Sequence, residues 1–134
     1  MLKQLSDRCD AIEECYEFML AYAGSGVPGE EGSCQIRDYL TKAAAALKGL
    51  GGAYGDAIKL EGMQPAGQYQ TFVSVLDRDA LDSLACVELV LAQRRISSQL
   101  IDNLNASIHL RALLTDLFLI DEILKLHHAA GTPA

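Results

Sequence analysis

The chain has 134 residues and a net charge of −7, because 18 acidic side chains outnumber 11 basic ones. Half of its residues are apolar, and a chain of this length buries roughly two thirds of its unfolded surface, so one hydrophobic core can stabilise it without disulfides or metals. The negative charge argues against a general nucleic-acid-binding protein, which needs a basic surface to displace counterions from phosphates. No apolar run reaches the roughly 20 residues that cross a bilayer, and the first residues lack a signal-peptide pattern, so we expect a cytoplasmic protein without membrane contact.

Helical periodicity defines the first two elements. In residues 3–23, apolar side chains recur at steps of three and four, from Leu5 through Ile12 to Met19, which is typical of the core-facing side of a bundle helix. The same spacing continues over residues 33–61 and predicts a second long helix. Several glycines fall in its second half, and each costs about 1 kcal/mol relative to alanine inside a helix. A break near Gly51 and Gly52 is therefore the main alternative to one continuous helix.

Two further helices complete the predicted architecture. The apolar pattern indicates a third helix over residues 68–93 and a fourth over residues 97–127, followed by a frayed tail over residues 128–134. Either Ser97 or Ser98 can provide the N-cap of the fourth helix. Four long helices with short connections predict an all-α fold, an antiparallel up-down-up-down four-helix bundle that forms a single domain.

The fourth predicted helix is apolar around more than half of its circumference. A helix of this kind must be covered on more than one side, whereas an isolated four-helix bundle covers only the core-facing side. We therefore predict a non-enzymatic protein that self-associates as a homodimer through this helix and acts as an interaction or assembly factor. The candidate contact residues are Ile108, Arg111, Thr115, Phe118 and Leu119.

Polar side chains also recur every four residues along this helix and form a ridge that consists of Gln99, Asn103, Ser107, Arg111 and Thr115. The ridge has three interpretations, since it can face solvent, take part in a subunit interface or line a pocket. In the third case the protein is a ligand- or metal-binding bundle, and it could be an enzyme. The residues that would form such a pocket are Tyr16, Glu17, Glu88, His109 and Arg111.

Motifs for metals and cofactors are absent from the sequence. Di-iron bundles need Glu-x-x-His pairs and covalent haem attachment needs CxxCH, and neither occurs. The cysteines form no CxxC motif and are most simply interpreted as small buried side chains; they are Cys9, Cys15, Cys34 and Cys86. We therefore predict no cofactor and no bound metal.

Acidic residues concentrate on one face of the first predicted helix. Glu13, Glu14 and Glu17 lie within this face. Exposed carboxylates attract positive charge over about 8–10 Å at ordinary ionic strength. A basic protein partner that binds these three residues is therefore a further hypothesis.

Overall fold

The structure of the protein is a computed structural model that describes residues 2–25 and 33–131. Within these residues the chain forms six α-helices and no β-strand. The helices are α1 (Leu2–Ser25), α2 (Ser33–Leu47), α3 (Leu50–Leu60), α4 (Ala66–Leu91), α5 (Ser98–Ala106) and α6 (His109–Gly131). The predicted all-helical class is confirmed, and the described residues contain six helices where four were predicted.

The predicted second helix is divided into α2 and α3 at Lys48 and Gly49. Gly49 has a φ of 67°, a left-handed conformation that favours glycine and does not continue a helix. The end of α2 is also held by α1, since the guanidinium group of Arg8 donates hydrogen bonds to the carbonyl oxygens of Ala46, at 3.0 Å, and Lys48. The prediction of one continuous helix over residues 33–61 is therefore wrong, and the break comes before the Gly51–Gly52 pair named in the alternative, since that pair is helical.

Gly51 lies where α3 and α4 come into close contact. A β-carbon at this position would lie 2.7 Å from the Cα atom of Asp77 on α4. Two carbon atoms at that distance clash, so these helices can pack as they do only with glycine at position 51. The neighbouring Gly52 faces open space and carries no such constraint.

The predicted fourth helix is divided into α5 and α6 at Ser107 and Ile108. Ile108 has a φ of 63°, which costs a β-branched residue about 1–3 kcal/mol. The end of α5 is closed locally, because the Ser107 hydroxyl donates a 2.6 Å hydrogen bond to the Leu104 carbonyl oxygen. The start of α5 is capped as predicted, because the Ser97 hydroxyl accepts a hydrogen bond from the Leu100 amide at 3.1 Å.

The end of α6 differs from the predicted frayed tail. Residues 128–131 belong to α6, while residues 132–134 lie outside the described residues. The Nε2 atoms of His127 and His128 lie 3.9 Å and 3.4 Å from the carboxylate oxygens of Glu61, which follows α3. The last turns of α6 therefore lie beside the residue that follows α3.

The helices pack around a continuous hydrophobic core. α1 packs mainly against α2 and α5, and α4 packs against α2, α3 and α6. All six helices contribute fully buried side chains, among them Ile12, Ile36, Leu50, Leu76, Ile101 and Leu117. Among the described helices, none combines the length and the hydropathy that a membrane crossing requires.

Polar contacts to the backbone fasten one end of this core. The Tyr22 hydroxyl donates a 2.5 Å hydrogen bond to the Ile96 carbonyl oxygen in the connection between α4 and α5. The Arg37 guanidinium donates hydrogen bonds to the carbonyl oxygens of Leu91, at 3.1 Å, and Arg94, at 3.0 Å. Arg37 of α2 thus binds the Leu91 carbonyl group, which the end of α4 leaves without a helical partner, and the Arg94 carbonyl group in the connection that follows α4.

Candidate functional site

The predicted contact residues lie on one exposed surface, which we call the outer face of α6. It consists of Ile108, which directly precedes α6, and of the side chains that follow at steps of three and four: Arg111, Thr115, Phe118, Leu119, Glu122 and Leu126. The exposed fractions of Ile108, Phe118, Leu119 and Leu126 are 55%, 54%, 53% and 60%. The structure therefore brings all five predicted contact residues together at the surface, and their role as an interface stays a prediction.

The opposite side of α6 faces the core. Leu113, Leu117, Ile120 and Leu124 are buried there, where α6 packs mainly against α4. The wide apolar circumference predicted for this helix is thus divided into a buried half and an exposed half. Burial of a leucine or phenylalanine side chain stabilises a protein by about 1.5–3 kcal/mol, and the outer face of α6 holds apolar surface that a single chain does not bury.

Opposite charges lie toward the two ends of the outer face of α6. Arg111 and Glu122 are both exposed, and neither forms an ion pair within the described part of the chain. Arg111 precedes Asp116 by five residues, and Glu122 follows Leu117 by five residues, so the two charges lie symmetrically about the point between positions 116 and 117. The centre of the face is uncharged, and the Thr115 hydroxyl there is already bonded to a backbone carbonyl of its own helix at 2.9 Å.

The predicted polar ridge does not form one line, because it crosses the break between α5 and α6. Gln99 and Asn103 lie on α5, where Gln99 Nε2 donates a 3.3 Å hydrogen bond to Asn103 Oδ1. Arg111 and Thr115 belong to the outer face of α6, and Ser107 lies at the break itself. In the single chain, all of these side chains except the half-buried Ser107 are exposed to solvent.

The residues of the predicted ligand pocket lie apart from the main surface grooves. Glu17, Glu88 and Arg111 are exposed, while Tyr16 and His109 are half-buried. None of these five residues lines any of the three main grooves of the described surface. The structure therefore adds no observation in favour of a pocket formed by this set.

A polar cluster that the sequence analysis did not predict lies in the core between α1, α3 and α6. The Tyr54 hydroxyl donates a 2.7 Å hydrogen bond to Asp121 Oδ1, and the Cys9 sulfur lies 2.9 Å from Tyr54 Oη and 3.5 Å from Asp121 Oδ2. Tyr54 is fully buried, and a buried tyrosine hydroxyl needs such a partner. The one signal in the sequence is a carboxylate that directly follows the core position Ile120.

Burial controls the ionisation of this cluster. It raises the pKa of the Cys9 thiol to about 12 and also raises the pKa of the Tyr54 hydroxyl. Burial likewise raises the pKa of Asp121, while the hydrogen bonds from Tyr54 and Cys9 act in the opposite direction. A thiol with so high a pKa is protonated at neutral pH and is a poor nucleophile, so the cluster is suited to a structural role.

A second carboxyl group with a raised pKa lies where α4 and α6 pack. The pKa of Asp116 on α6 is raised to about 7, first by burial and then by the neighbouring carboxyl group of Asp79 on α4. One carboxyl oxygen of Asp116, Oδ2, is buried and has no hydrogen-bond partner within the described residues. Asp116 is therefore partly protonated at neutral pH.

The described residues show no arrangement of ligands for a metal ion, since no group of three or more His, Cys, Asp or Glu side chains is placed to hold one. All four cysteines are free. Cys9 and Cys15 are buried, as predicted, and Cys86 is half-buried. Cys34 is exposed, so the prediction of a buried side chain is wrong there.

The acidic face of α1 lies at the surface. Glu14 and Glu17 are exposed, and Glu13 is half-buried. The pKa of Glu13 is raised by burial and by the negative charges of Asp10, Glu17 and Asp121. Positive charge placed beside this group of carboxylates would relieve their mutual repulsion.

Comparison of the chain with protein-family models, with curated proteins and with solved structures gives no match. The function of the chain is therefore inferred from its own residues and contacts alone. Among the features described above, the outer face of α6 brings together the largest set of predicted site residues, which are five in number.

Proposed function

We propose that the protein is a non-enzymatic, self-associating helical protein of the cytoplasm, and that it acts as an interaction or assembly factor. A second copy covers the outer face of α6. The observation that carries this proposal is the exposure of four large apolar side chains on one helix face: Ile108, Phe118, Leu119 and Leu126 are each more than half exposed. Apolar patches of this kind on soluble proteins mark interaction surfaces more often than single scattered apolar residues do.

The proposal includes the predicted bundle. We treat α2 and α3 as one rod that is interrupted at Gly49, and α5 and α6 as another that is interrupted at Ile108, so that the six described helices make four antiparallel rods in one domain. In such a bundle each rod contacts its two neighbours. The packing of α1 with α2 and α5, and of α4 with α3 and α6, supports this arrangement. The outer face of α6 then points away from its own bundle, and another chain is needed to bury it.

Charge complementarity favours a second copy of this chain as the occupant. Two α6 helices can pack antiparallel about a two-fold axis that passes between positions 116 and 117. Arg111 then faces the partner's Glu122, and Thr115 faces the partner's Phe118. Apolar side chains lie at the centre and charges at the edge, as in stable interfaces. A parallel two-fold pairing would instead place each Arg111 beside the partner's Arg111.

The experiment that tests the proposal is sedimentation velocity on Phe118→Asp and Leu119→Asp beside the wild-type protein. A carboxylate at either position would be buried without a partner in the dimer, so we expect both variants to sediment as monomers. Leu81→Asp is the matched control, because Leu81 is 50% exposed and lies on α4 outside the outer face of α6. A Phe118→Asp variant that forms the same oligomer as the wild type at equal concentration would exclude this surface as the interface.

Charge reversal tests the antiparallel pairing separately. Arg111→Glu and Glu122→Arg should each weaken the dimer by roughly twofold to thirtyfold, since two symmetry-related pairs of up to about 1 kcal/mol are lost. The double variant carries the pair in reverse order, and we expect it to regain the wild-type dissociation constant. A double variant weaker than either single variant would show that these two residues do not meet.

A basic protein partner at the acidic face of α1 is a second proposal, which the exposure of the Glu14 and Glu17 carboxylates close in sequence to Glu13 supports. The probe is a lysine-rich peptide, and its binding should weaken in Glu14→Gln and Glu17→Gln and fall with added salt. Asp56→Asn is the control, because it removes an exposed carboxylate from α3, outside both the acidic face of α1 and the outer face of α6. Equal binding to all of these proteins would exclude a specific acidic site on α1.

A further inference from the structure

A groove of about 410 Å³ opens between the end of α3 and the start of α4, beside the connection that joins them. We call it the α3–α4 groove. Its volume lies in the range of about 300–1,000 Å³ that small-molecule sites occupy. None of the residues that line it belongs to the outer face of α6, so the groove is independent of the proposed interface.

The packing of α3 against α4 explains why the groove lies there. At Gly51 the helices touch, because a β-carbon would lie 2.7 Å from the Cα atom of Asp77. One turn later, a β-carbon at Gly55 would lie 3.5 Å from Val73 Cγ1, which is the end of a side chain and an ordinary contact distance. The helices therefore separate toward their connection, and the missing side chain at Gly55 leaves the space open.

Apolar side chains line the inner part of the α3–α4 groove. Ile58 and Met63 are buried, and Val73 and Tyr69 are half-buried against the hydrophobic core. A methionine side chain is flexible and polarisable and adapts to the shape of an apolar or aromatic group. A lining of this composition suits a ring or a short hydrocarbon chain better than a bare ion.

Lys59 gives the α3–α4 groove its charge. Among the described residues that line it, Lys59 is the one charged side chain, and it forms no ion pair within the described part of the chain. The groove beside the Cys9 cluster differs, because three acidic residues line it, Asp10, Glu13 and Asp121, and they outnumber its basic residues, Lys125 and His128. Of these two grooves, the α3–α4 groove is therefore the one suited to a negatively charged molecule.

We infer that the α3–α4 groove binds a small amphipathic anion, with an apolar ring or short chain against Ile58, Met63 and Val73 and an acid group at the ammonium group of Lys59. The ligand class is thus a carboxylate or sulfonate on an apolar body.

The test uses 2-naphthoate as the probe and its neutral analogue 2-naphthamide for comparison. The chain contains no tryptophan, so naphthalene fluorescence reports binding directly. We expect naphthoate to bind about three- to fivefold more tightly than naphthamide, because a partly exposed ion pair contributes up to about 1 kcal/mol. Lys59→Gln should reduce naphthoate binding to the level of naphthamide. Lys42→Gln, which removes an exposed positive charge from α2, should leave it unchanged.

A second variant tests the apolar part of the site. Gly55→Leu places a side chain in the α3–α4 groove and should abolish binding of both compounds. If this variant does not fold, Lys59→Gln decides the test alone, because an exposed lysine contributes little to folding. The inference is overturned if neither compound binds, if both bind equally well, or if Phe118→Asp abolishes binding while Lys59→Gln does not.

Discussion

The hydroxyl group of Tyr54 donates a 2.7 Å hydrogen bond to the carboxylate of Asp121, and this bond joins α3 to α6 inside the core. Tyr54 is fully buried, so removal of its hydroxyl leaves Asp121 with the weaker thiol donor of Cys9 alone. We expect Tyr54→Phe to lower the free energy of unfolding by about 1–3 kcal/mol in urea denaturation. Tyr16→Phe is the control, because the Tyr16 hydroxyl makes no hydrogen bond within the described residues, and its effect should stay below about 0.5 kcal/mol. Equal losses in the two variants would contradict a stabilising role for the bond.

Asp116 makes the stability of the protein depend on pH. Its pKa is about 7 in the folded protein and 3.8 for an ordinary aspartate, so the folded state binds this proton more tightly than the unfolded state does. The contribution of Asp116 is therefore fully present below about pH 4 and is lost as the pH rises through about 7. We expect the melting temperature of the wild-type protein to fall more steeply between about pH 5 and pH 8 than that of Asp116→Asn.

The difference in melting temperature between the wild type and Asp116→Asn reports on Asp116 alone. Asp121 and Glu13 also have raised pKa values, but they are present in both proteins. Asp102→Asn, which removes an exposed carboxylate from α5, should melt with the wild-type dependence on pH. Parallel pH curves for the wild type and Asp116→Asn would show that Asp116 titrates normally.

Gly51 and Gly52 should respond in opposite ways to the same substitution. Gly51→Ala places a β-carbon against the backbone of Asp77 and forces α3 away from α4, which we expect to cost about 1–3 kcal/mol of stability. Gly52→Ala meets no atom within 4 Å and should stabilise α3 by up to about 1 kcal/mol. Thermal or urea unfolding of both variants measures this difference. Stabilisation by both alanines would mean that α3 and α4 do not touch at position 51.

Arg8 and Arg78 make two different kinds of contact, and we expect their removal to lower the stability of the protein by different amounts. Arg8 donates to two carbonyl groups at the end of α2, and its loss in Arg8→Met should cost about 1.5–3 kcal/mol. Arg78 lies 3.7 Å from Asp82 on the surface of α4, and Arg78→Met should cost less than about 1 kcal/mol. Urea denaturation of the two variants checks the order. Similar small losses would show that Arg8 does not hold the break between α2 and α3.

The features that could be predicted from the sequence are those that depend on the spacing of apolar residues within one helix. Residues three and four apart share one side of a helix, which is why Ile108, Phe118 and Leu119 could be assigned to a common face with Arg111. The structure places all four at the surface. The same reasoning predicts the all-helical class, which the described residues confirm.

Contacts between distant residues, and backbone conformation, account for what could not be predicted. The end of α2 is bound by Arg8, which donates hydrogen bonds to carbonyl groups 38 and 40 residues away. The break before α6 depends on a left-handed isoleucine, Ile108, which no residue-type preference signals. The partners of the buried cluster, Cys9 and Tyr54, are 45 residues apart, and Asp121 is 67 residues beyond Tyr54. Periodicity assigns residues to the core, but it does not show which of them meet.

The mass of the protein in solution shows whether a second copy covers the outer face of α6. Sedimentation equilibrium over a range of concentrations should show a species of twice the 14.5 kDa chain mass, and its share should increase with concentration. Phe118→Asp should shift this equilibrium to the monomer, and Leu81→Asp should not. A single 14.5 kDa species at every concentration of the wild-type protein would contradict self-association through this face.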